Sequence, residues 1–342
     1  MIEDSPTFTP VTLLTGFLGS GKTTLLRRLL ADPALGDTAV IINELGEVGL
    51  DHHLVERLDD QMVLLSSGCI CCTVRGELAT AIRDLLGRRE RGALPPFRRL
   101  VIESTGLADP FPVLSTLKAD PVLRHHFRAA GVVATVDAVN GLAQLDSYVE
   151  SMRQAAIADV IVLTKTDLAT ETVTARLVER LGAMNPSAPL ICAVSEPLDA
   201  NALLNCGGSG FKAIAEPPIE RSAHIDVRAF SIVVDEPLDW TAFGIWLTML
   251  LNRHGSRILR VKGILALRGE ERPVAVHSVQ HLVHAPAHLS NWPDEDRRSR
   301  LVFIIEGIEP GLIRRSFEIF HRLNAAVADQ ALAACRAEAP DA

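Results

Sequence analysis

The first 205 or so residues predict an α/β domain on a mostly parallel sheet, followed by a smaller C-terminal α+β domain. Three observations carry that expectation. Short apolar runs alternate with runs whose apolar residues recur at helical spacing. Those short runs are apolar throughout, the pattern of strands covered on both faces. A stretch rich in Gly, Pro and polar residues, from Cys206 to Ser222, then breaks the alternation as an interdomain connection does. A chain of 342 residues has room for two domains.

In order, Val11–Thr15 reads as a strand and Lys22–Leu30 as a helix. Val40–Ile42 and Met62–Leu65 read as short buried strands. Across Arg75–Arg88, the apolar Leu78, Ala81, Ile82 and Leu85 fall on one helical face. Leu100–Ile102, Val132–Val136 and Val160–Leu163 are further apolar, β-branched runs, and His125–His126 reads as a helix end. Beyond the connection, His224–Val234 reads as a strand and Leu238–Asn252 as a helix. Its apolar segment Phe243–Leu251 is expected to pack in the domain's own core. Ile258–Leu267 and Pro273–Val283 read as strands joined by a turn at Arg268–Arg272. Leu301–Glu306 is a further strand, Gly311–Leu332 is helical, and the tail from Glu338 frays. The expected domains are residues 1–205 and 224–337, joined by 206–223.

The 34 basic and 42 acidic residues leave a net charge of −8, which gives no general pull toward nucleic acid or anionic lipid. The basic clusters Arg88–Arg91 and Arg297–Arg300 read as solvated faces. No run approaches the roughly 20 apolar residues of a membrane span. The acidic start lacks a secretory apolar core, so a cytoplasmic protein is expected. Six cysteines are no disulfide framework, yet Cys69, Cys71 and Cys72 fall within four residues.

Residues 16–23 read Gly-Phe-Leu-Gly-Ser-Gly-Lys-Thr and fit G-x-x-x-x-G-K-[ST] between a strand and a helix. Gly16, Gly19, Ser20 and Gly21 would turn backbone N–H groups onto phosphate oxygens, aided by the helix N-terminus that carries Thr24. Lys22 would reach the β and γ phosphates, and the Thr23 hydroxyl would ligate Mg²⁺. Such a site needs a carboxylate at the end of another strand. Glu103 supplies it, and Gly106 follows three residues later to offer its N–H to the γ-phosphate. Thr164-Lys165-Thr166-Asp167 ends a further strand and resembles the N-K-x-D guanine motif. Asp167 would accept from guanine N1–H and N2–H₂, which adenine lacks, and the Lys165 stem would lie along the base. Thr164 stands where Asn is usual, which removes an amide donor.

Three thiolates as close as Cys69, Cys71 and Cys72 repel one another unless a cation neutralises them, and Zn²⁺ is the default partner of sulfur ligands. Glu44, His52, His53, water or a cargo-exchange partner would complete the shell. A redox pair of Cys69 and Cys72 and three small buried hydrophobes are the rival readings. Glu44 and the cysteines both follow strand ends, the edge where ligands gather in such sheets. His277, His281, His284 and His288 would share a face on a helix, but Pro273, the run Val274–Val279 and Pro286 favour strand and loop.

Taken together, the segments Thr12–Leu26, Asn43–Asp51, Ser66–Cys72, Glu103–Pro110 and Leu163–Asp167 resemble the CobW-like P-loop GTPases, as do Arg260–Leu265, His277–Leu282 and Arg298–Ile304 beyond the connection. That family contains zinc and cobalt metallochaperones, nitrile hydratase activators and relatives that deliver nickel. The resemblance implies a slow GTPase that uses GTP/GDP and Mg²⁺, with Lys22, Thr23 and Glu103 as its catalytic set. It implies Zn²⁺, or Co²⁺ in its place, at Cys69, Cys71 and Cys72 with Glu44, and GTP-linked transfer to a metal-requiring client protein. Leu45 departs from the family's usual Phe, and its long His-rich insertion is absent. A maturation factor for a cobalt or iron enzyme and a nucleotide-dependent sensor that moves no metal remain alternatives, and a homo-oligomer is compatible with all three.

Overall fold

The structure is a computed structural model that describes residues 8–45, 62–67, 73–194, 198–208 and 226–321. Within it, residues 8–208 and 226–321 belong to two compact units.

The first unit is a seven-stranded sheet with strand order β3-β2-β4-β1-β5-β6-β7. Its strands are β1 (Thr9–Gly16), β2 (Thr38–Leu45), β3 (Met62–Ser67), β4 (Arg99–Glu103), β5 (Phe127–Asp137), β6 (Val160–Thr164) and β7 (Leu190–Cys192). Every neighbouring pair is parallel. The carboxyl ends of β1 to β6 therefore meet at one edge, and that edge carries Gly16, Glu44, Glu103 and Thr164.

The helices are α1 (Lys22–Leu30), α2 (Thr73–Glu90), α3 (Phe111–Ala119), α4 (Leu123–His126), α5 (Gly141–Ser147), α6 (Val149–Ile157), α7 (Glu171–Met184) and α8 (Ala200–Leu204). Helix α1 shows how the sequence makes this layer. Leu25, Leu26 and Leu29 recur at helical spacing and are buried with Leu14, Val40, Val101 and Val133 of the sheet. Burying each such leucine contributes about 1.5–3 kcal/mol, and Leu26→Ala would cost about 2–5 kcal/mol. Arg27 and Arg28 in the last turn complement the helix dipole. Helix α7 is capped by Thr170, whose hydroxyl accepts from the Val173 amide at 3.4 Å. The packed chain continues to Gly208. Cys206 is buried, and a Cβ on Gly131 would fall 2.5 Å from its sulfur. Composition alone places Cys206–Gly208 in the connection.

The second unit is an antiparallel sheet in the order β11-β10-β9-β13-β8, with β12 paired to β10. Its strands are β8 (Val227–Val234), β9 (Ile258–Leu265), β10 (Val274–Val279), β11 (Leu282–Val283), β12 (Ala287–His288) and β13 (Ser299–Glu306). Helix α9 (Trp240–His254) buries Phe243, Trp246, Leu247, Leu250 and Leu251. Asp239 caps it by accepting from the Ala242 amide at 2.8 Å. Trp246 meets Phe303 and Phe317 edge-on, at centroid distances of 6.2 and 4.9 Å. Phe317 comes from α10, the helix at residues 310–321. The expected packing of Phe243–Leu251 in the unit's own core is what the structure shows. The remainder of the helix expected to reach Leu332, the stretch 209–225 and the C-terminal tail lie outside the described residues.

Candidate nucleotide and metal site

Strand β1 runs between β4 and β5 and hands the chain to the loop that starts at Gly16. Gly16, Gly19 and Gly21 have φ of +142°, +71° and +89°, a range that side chains disfavour. Gly16 is doubly constrained, because a Cβ there would lie 2.5 Å from the Thr135 carbonyl oxygen. Gly21 is the N-cap of α1 and provides no side-chain cap for the helix's first amides. Those amides are left for an anion. The nearly buried Lys22 folds back, donating to the carbonyls of Gly16 at 3.0 Å and Phe17 at 3.2 Å. A phosphate would exchange these neutral acceptors for ionised ones, which bind ammonium about twice as strongly. Thr24 sits exposed in the same first turn.

On the β4 side, the Thr23 hydroxyl donates to Glu103 Oε1 at 2.7 Å. Glu103 is 4% exposed. Hydroxyl and carboxylate form an oxygen-only donor pair, the chemistry that suits a hard cation such as Mg²⁺. The Ser104 amide donates to the Leu14 carbonyl at 2.9 Å, and its hydroxyl to Thr15 Oγ1 at 2.9 Å. Gly106 then presses on the phosphate loop, where a Cβ would come within 2.6 Å of the Leu18 nitrogen.

On the β5 and β6 side, Ser20 Oγ and Thr135 Oγ1 are 2.7 Å apart. Thr164 donates to the Ser20 carbonyl at 2.7 Å. The Thr164 hydroxyl therefore ties the end of β6 to the phosphate loop. Lys165 takes a left-handed φ of +56°, a conformation that costs a non-glycine residue roughly 1–2 kcal/mol. Its ammonium meets Asp137 Oδ2 at 2.7 Å. Asp137, 1% exposed, also accepts from the Val139 amide at 2.8 Å and from Asn140 Nδ2 at 3.0 Å. Burial raises its pKa, but the Lys165, Asn140 and backbone hydrogen bonds together outweigh this and hold the carboxyl below its usual value. Asp167 stands exposed on the turn closed by the Leu168 amide and Lys165 carbonyl at 3.0 Å.

Sequence reasoning did not find Thr15, Ser104, Thr135, Asp137 or Gln154. Asp137 had one usable signal, an acid closing the apolar run Val132–Val136; the structure sets it level with Thr164 in the sheet register. The hydroxyls had none, because Ser and Thr inside strands look like ordinary core.

Glu44 lies at the carboxyl end of β2, in register with Ser66 of β3. Cys69, Cys71, Cys72, His52 and His53 lie outside the described residues. His277 belongs to β10 and His288 to β12, with His281 and His284 on the turns between them. Strand and loop, rather than a helix face, are thus what carries the four histidines. Among the described residues, no three His, Cys, Asp or Glu side chains gather in a group that could hold a metal ion. The basic cluster Arg297–Arg300 is partly neutralised, as Arg300 is paired twice with Asp294 at 2.8 and 2.9 Å. No helix among the described residues is long and apolar enough to cross a membrane.

A glycine nest opening a helix, a Thr–Glu pair beside it and a braced T-K-x-D turn, all at one edge of a parallel sheet, define a P-loop nucleotide-binding protein of the GTPase fold. The chain belongs to the CobW/HypB/UreG family. Residues 10–192 match that family's nucleotide-binding domain, and residues 227–321 match the cobalamin synthesis protein cobW C-terminal domain. The zinc chaperone YjiA of Escherichia coli (strain K12) is 37% identical over 312 residues, spanning 90% of this chain and 97% of YjiA. The zinc chaperone CobW of Pseudomonas aeruginosa is 30% identical over 347 residues, spanning 89% of each chain. The crystal structure of the Zn(II)-bound YjiA GTPase from E. coli superposes with a TM-score of 0.71 at 31% identity, covering 92% of this chain and 99% of that one.

Proposed function

We propose that this protein is a GTPase metallochaperone that carries zinc and passes it to a metal-requiring client protein. The observation that carries the reading is the sheet edge itself. The phosphate loop, Glu103, the T-K-x-D turn and Glu44 all end parallel strands of one sheet, and Glu44 pairs with Ser66, three residues before Cys69. In this reading Cys69, Cys71, Cys72 and Glu44 hold the cargo metal, with Co²⁺ an alternative to Zn²⁺. The unit that runs to Gly208 is the GTPase domain and the unit from Asp226 the CobW-like domain. The cell compartment is the cytoplasm.

Hydrolysis here depends on positioning and on preorganised charge. Lys22 and the amides of the glycine nest hold the phosphates and stabilise charge that develops on them. Thr23 and Glu103 would hold Mg²⁺, which when bound neutralises charge between the β and γ phosphates. Gly106 offers its N–H to the γ-phosphate, so the loop after β4 registers whether that group is present. Asp167 selects guanine, Thr164 keeps its turn against the phosphate loop, and Lys165 covers the base. Turnover without metal or client is slow. A tenfold difference in metal affinity between GTP and GDP forms needs only about 1.4 kcal/mol of coupling.

A Zn(II)-bound structure also exists for a YjiA variant in which one glutamate and two cysteines are alanine. Zinc binding alone therefore does not assign the site, and the test has to read affinity and nucleotide dependence together. Zn²⁺ competition titrations on the reduced protein, with GDP and with a non-hydrolysable GTP analogue, are compared with a variant carrying Cys69→Ser, Cys71→Ser and Cys72→Ser. Tight binding that needs the cysteines and shifts with nucleotide is the expected result. Binding indifferent to both would leave a GTPase with structural or redox cysteines. Transfer to an apo client then separates a carrier from a sensor.

A further inference from the structure

The loop that follows β4 is held by a neighbouring helix. Gln154 of α6 is 1% exposed. Its Nε2 donates to the carbonyl of Gly106 at 3.1 Å and to that of Ala108 at 3.0 Å. Two carbonyl acceptors fix which end of the amide faces the loop, since the flipped amide would set oxygen against oxygen. Gln154 Oε1 is buried and has no hydrogen-bond partner among the described residues. Retaining such an acceptor has a cost, which fits a side chain kept for what its nitrogen does.

The same helix makes further contacts with the site. Arg153 pairs with Asp109 at 3.4 Å. Tyr148, the residue that opens α6, packs on Phe17 of the phosphate loop with ring centroids 4.6 Å apart. Helix α6 thus touches both the phosphate loop and the loop that reads the γ-phosphate. Gly106 reaches its close approach to Leu18 while Gln154 holds the carbonyls on either side of Leu107.

We propose that Gln154 is a positioning residue for the γ-phosphate response. It holds the Gly106–Ala108 backbone so that the Gly106 N–H is presented at the end of the phosphate loop, and it does not itself touch the nucleotide. The proposal rests on the GTPase reading above and deepens it. Its distinctive consequence is selectivity. The base and the β-phosphate are met by the T-K-x-D turn and the glycine nest, so losing Gln154 should leave GDP binding alone and weaken what depends on the third phosphate.

The test uses the full chain with Gln154→Met, which keeps length and apolar volume but removes both donors. Gln154→Glu is the second variant, setting a carboxylate against the two carbonyls. Affinities for GDP and for a non-hydrolysable GTP analogue are measured with single-turnover GTP hydrolysis and the melting temperature. The expected result is GDP affinity within about twofold of the parent. Analogue affinity and the hydrolysis rate should both fall about tenfold or more, the pattern of an interaction that acts on one ligand state. An unchanged analogue-to-GDP ratio with unchanged hydrolysis would overturn the proposal. An equal loss of both nucleotides with a lowered melting temperature would overturn it too, by showing a structural role only. If the parent protein bound no guanine nucleotide, the function reading would fall as well, which separates the two failures.

Discussion

The two flanks of the phosphate loop are held in different ways. On the base side, Thr135 and Thr164 bond directly to Ser20, and the buried Asp137–Lys165 pair fixes the turn that carries Asp167. On the side proposed to meet the γ-phosphate, Thr23–Glu103 and Ser104–Thr15 bonds hold the strand end. Beyond it a glycine lies against Leu18, while one side-chain amide holds the carbonyls of Gly106 and Ala108. The base and the diphosphate are the same before and after hydrolysis, so a rigid flank serves both states. The γ-phosphate is present in only one of them, and a flank whose outer loop hangs on one side-chain amide can respond to that difference.

The largest effect expected on this comparison comes from the residue between the flanks. Lys22→Ala removes the cation proposed to meet developing charge, and should slow single-turnover hydrolysis by about 10²–10³. A normal rate would place the catalytic charge elsewhere. Next comes the rigid flank. Thr164→Val keeps the shape but deletes the bond to the Ser20 carbonyl, and should cost about 1–3 kcal/mol in a denaturant melt. It should weaken GDP and GTP analogues equally, and Thr164→Asn should recover most of the loss. A selective loss of the triphosphate would erase the distinction between the flanks.

Asp137→Asn sharpens the comparison further. It should lower the affinity for both nucleotides alike, and its effect should be non-additive with Lys165→Ala in a double-mutant cycle. The pH dependence has a definite sign. Because the folded carboxyl titrates below its usual value, its contribution is complete above the unfolded pKa of about 4 and fades as pH falls through the lower folded value. Acid titration of GDP affinity should show that step in the parent and not in the Asn variant. The smallest effect belongs far from either flank. Arg300→Ala removes a partly exposed pair with Asp294, and should cost about 1 kcal/mol or less. Nucleotide affinity should not move.

How much of this was legible from the chain varies with the kind of interaction. The glycine nest, Lys22, Thr23, Glu103 and the T-K-x-D turn depend on spacing along the chain and on strand ends, and the structure gathers them at one edge. Strands were readable because a sheet covered on both faces demands unbroken apolar runs, although their ends ran longer than the runs, as in β5 (Phe127–Asp137). What Thr164 contacts was not legible at all. Its hydroxyl donates to the Ser20 carbonyl, a contact that only the fold shows. The histidine spacing was ambiguous for the opposite reason, since periods of three and four say nothing once the backbone is a hairpin.

By itself, then, the sequence determined the local chemistry: a helix whose uncapped N-terminus awaits an anion, a carboxylate at a strand end, three adjacent thiols, and two domains separated by a change in composition. Tertiary structure decided which distant side chains brace that chemistry. Thr135 reaches Ser20 across 115 positions, and Gln154 reaches Gly106 across 48. Hydrogen bonds of that kind depend on which strands are neighbours and on angstrom-scale distances. A chain read one window at a time contains neither.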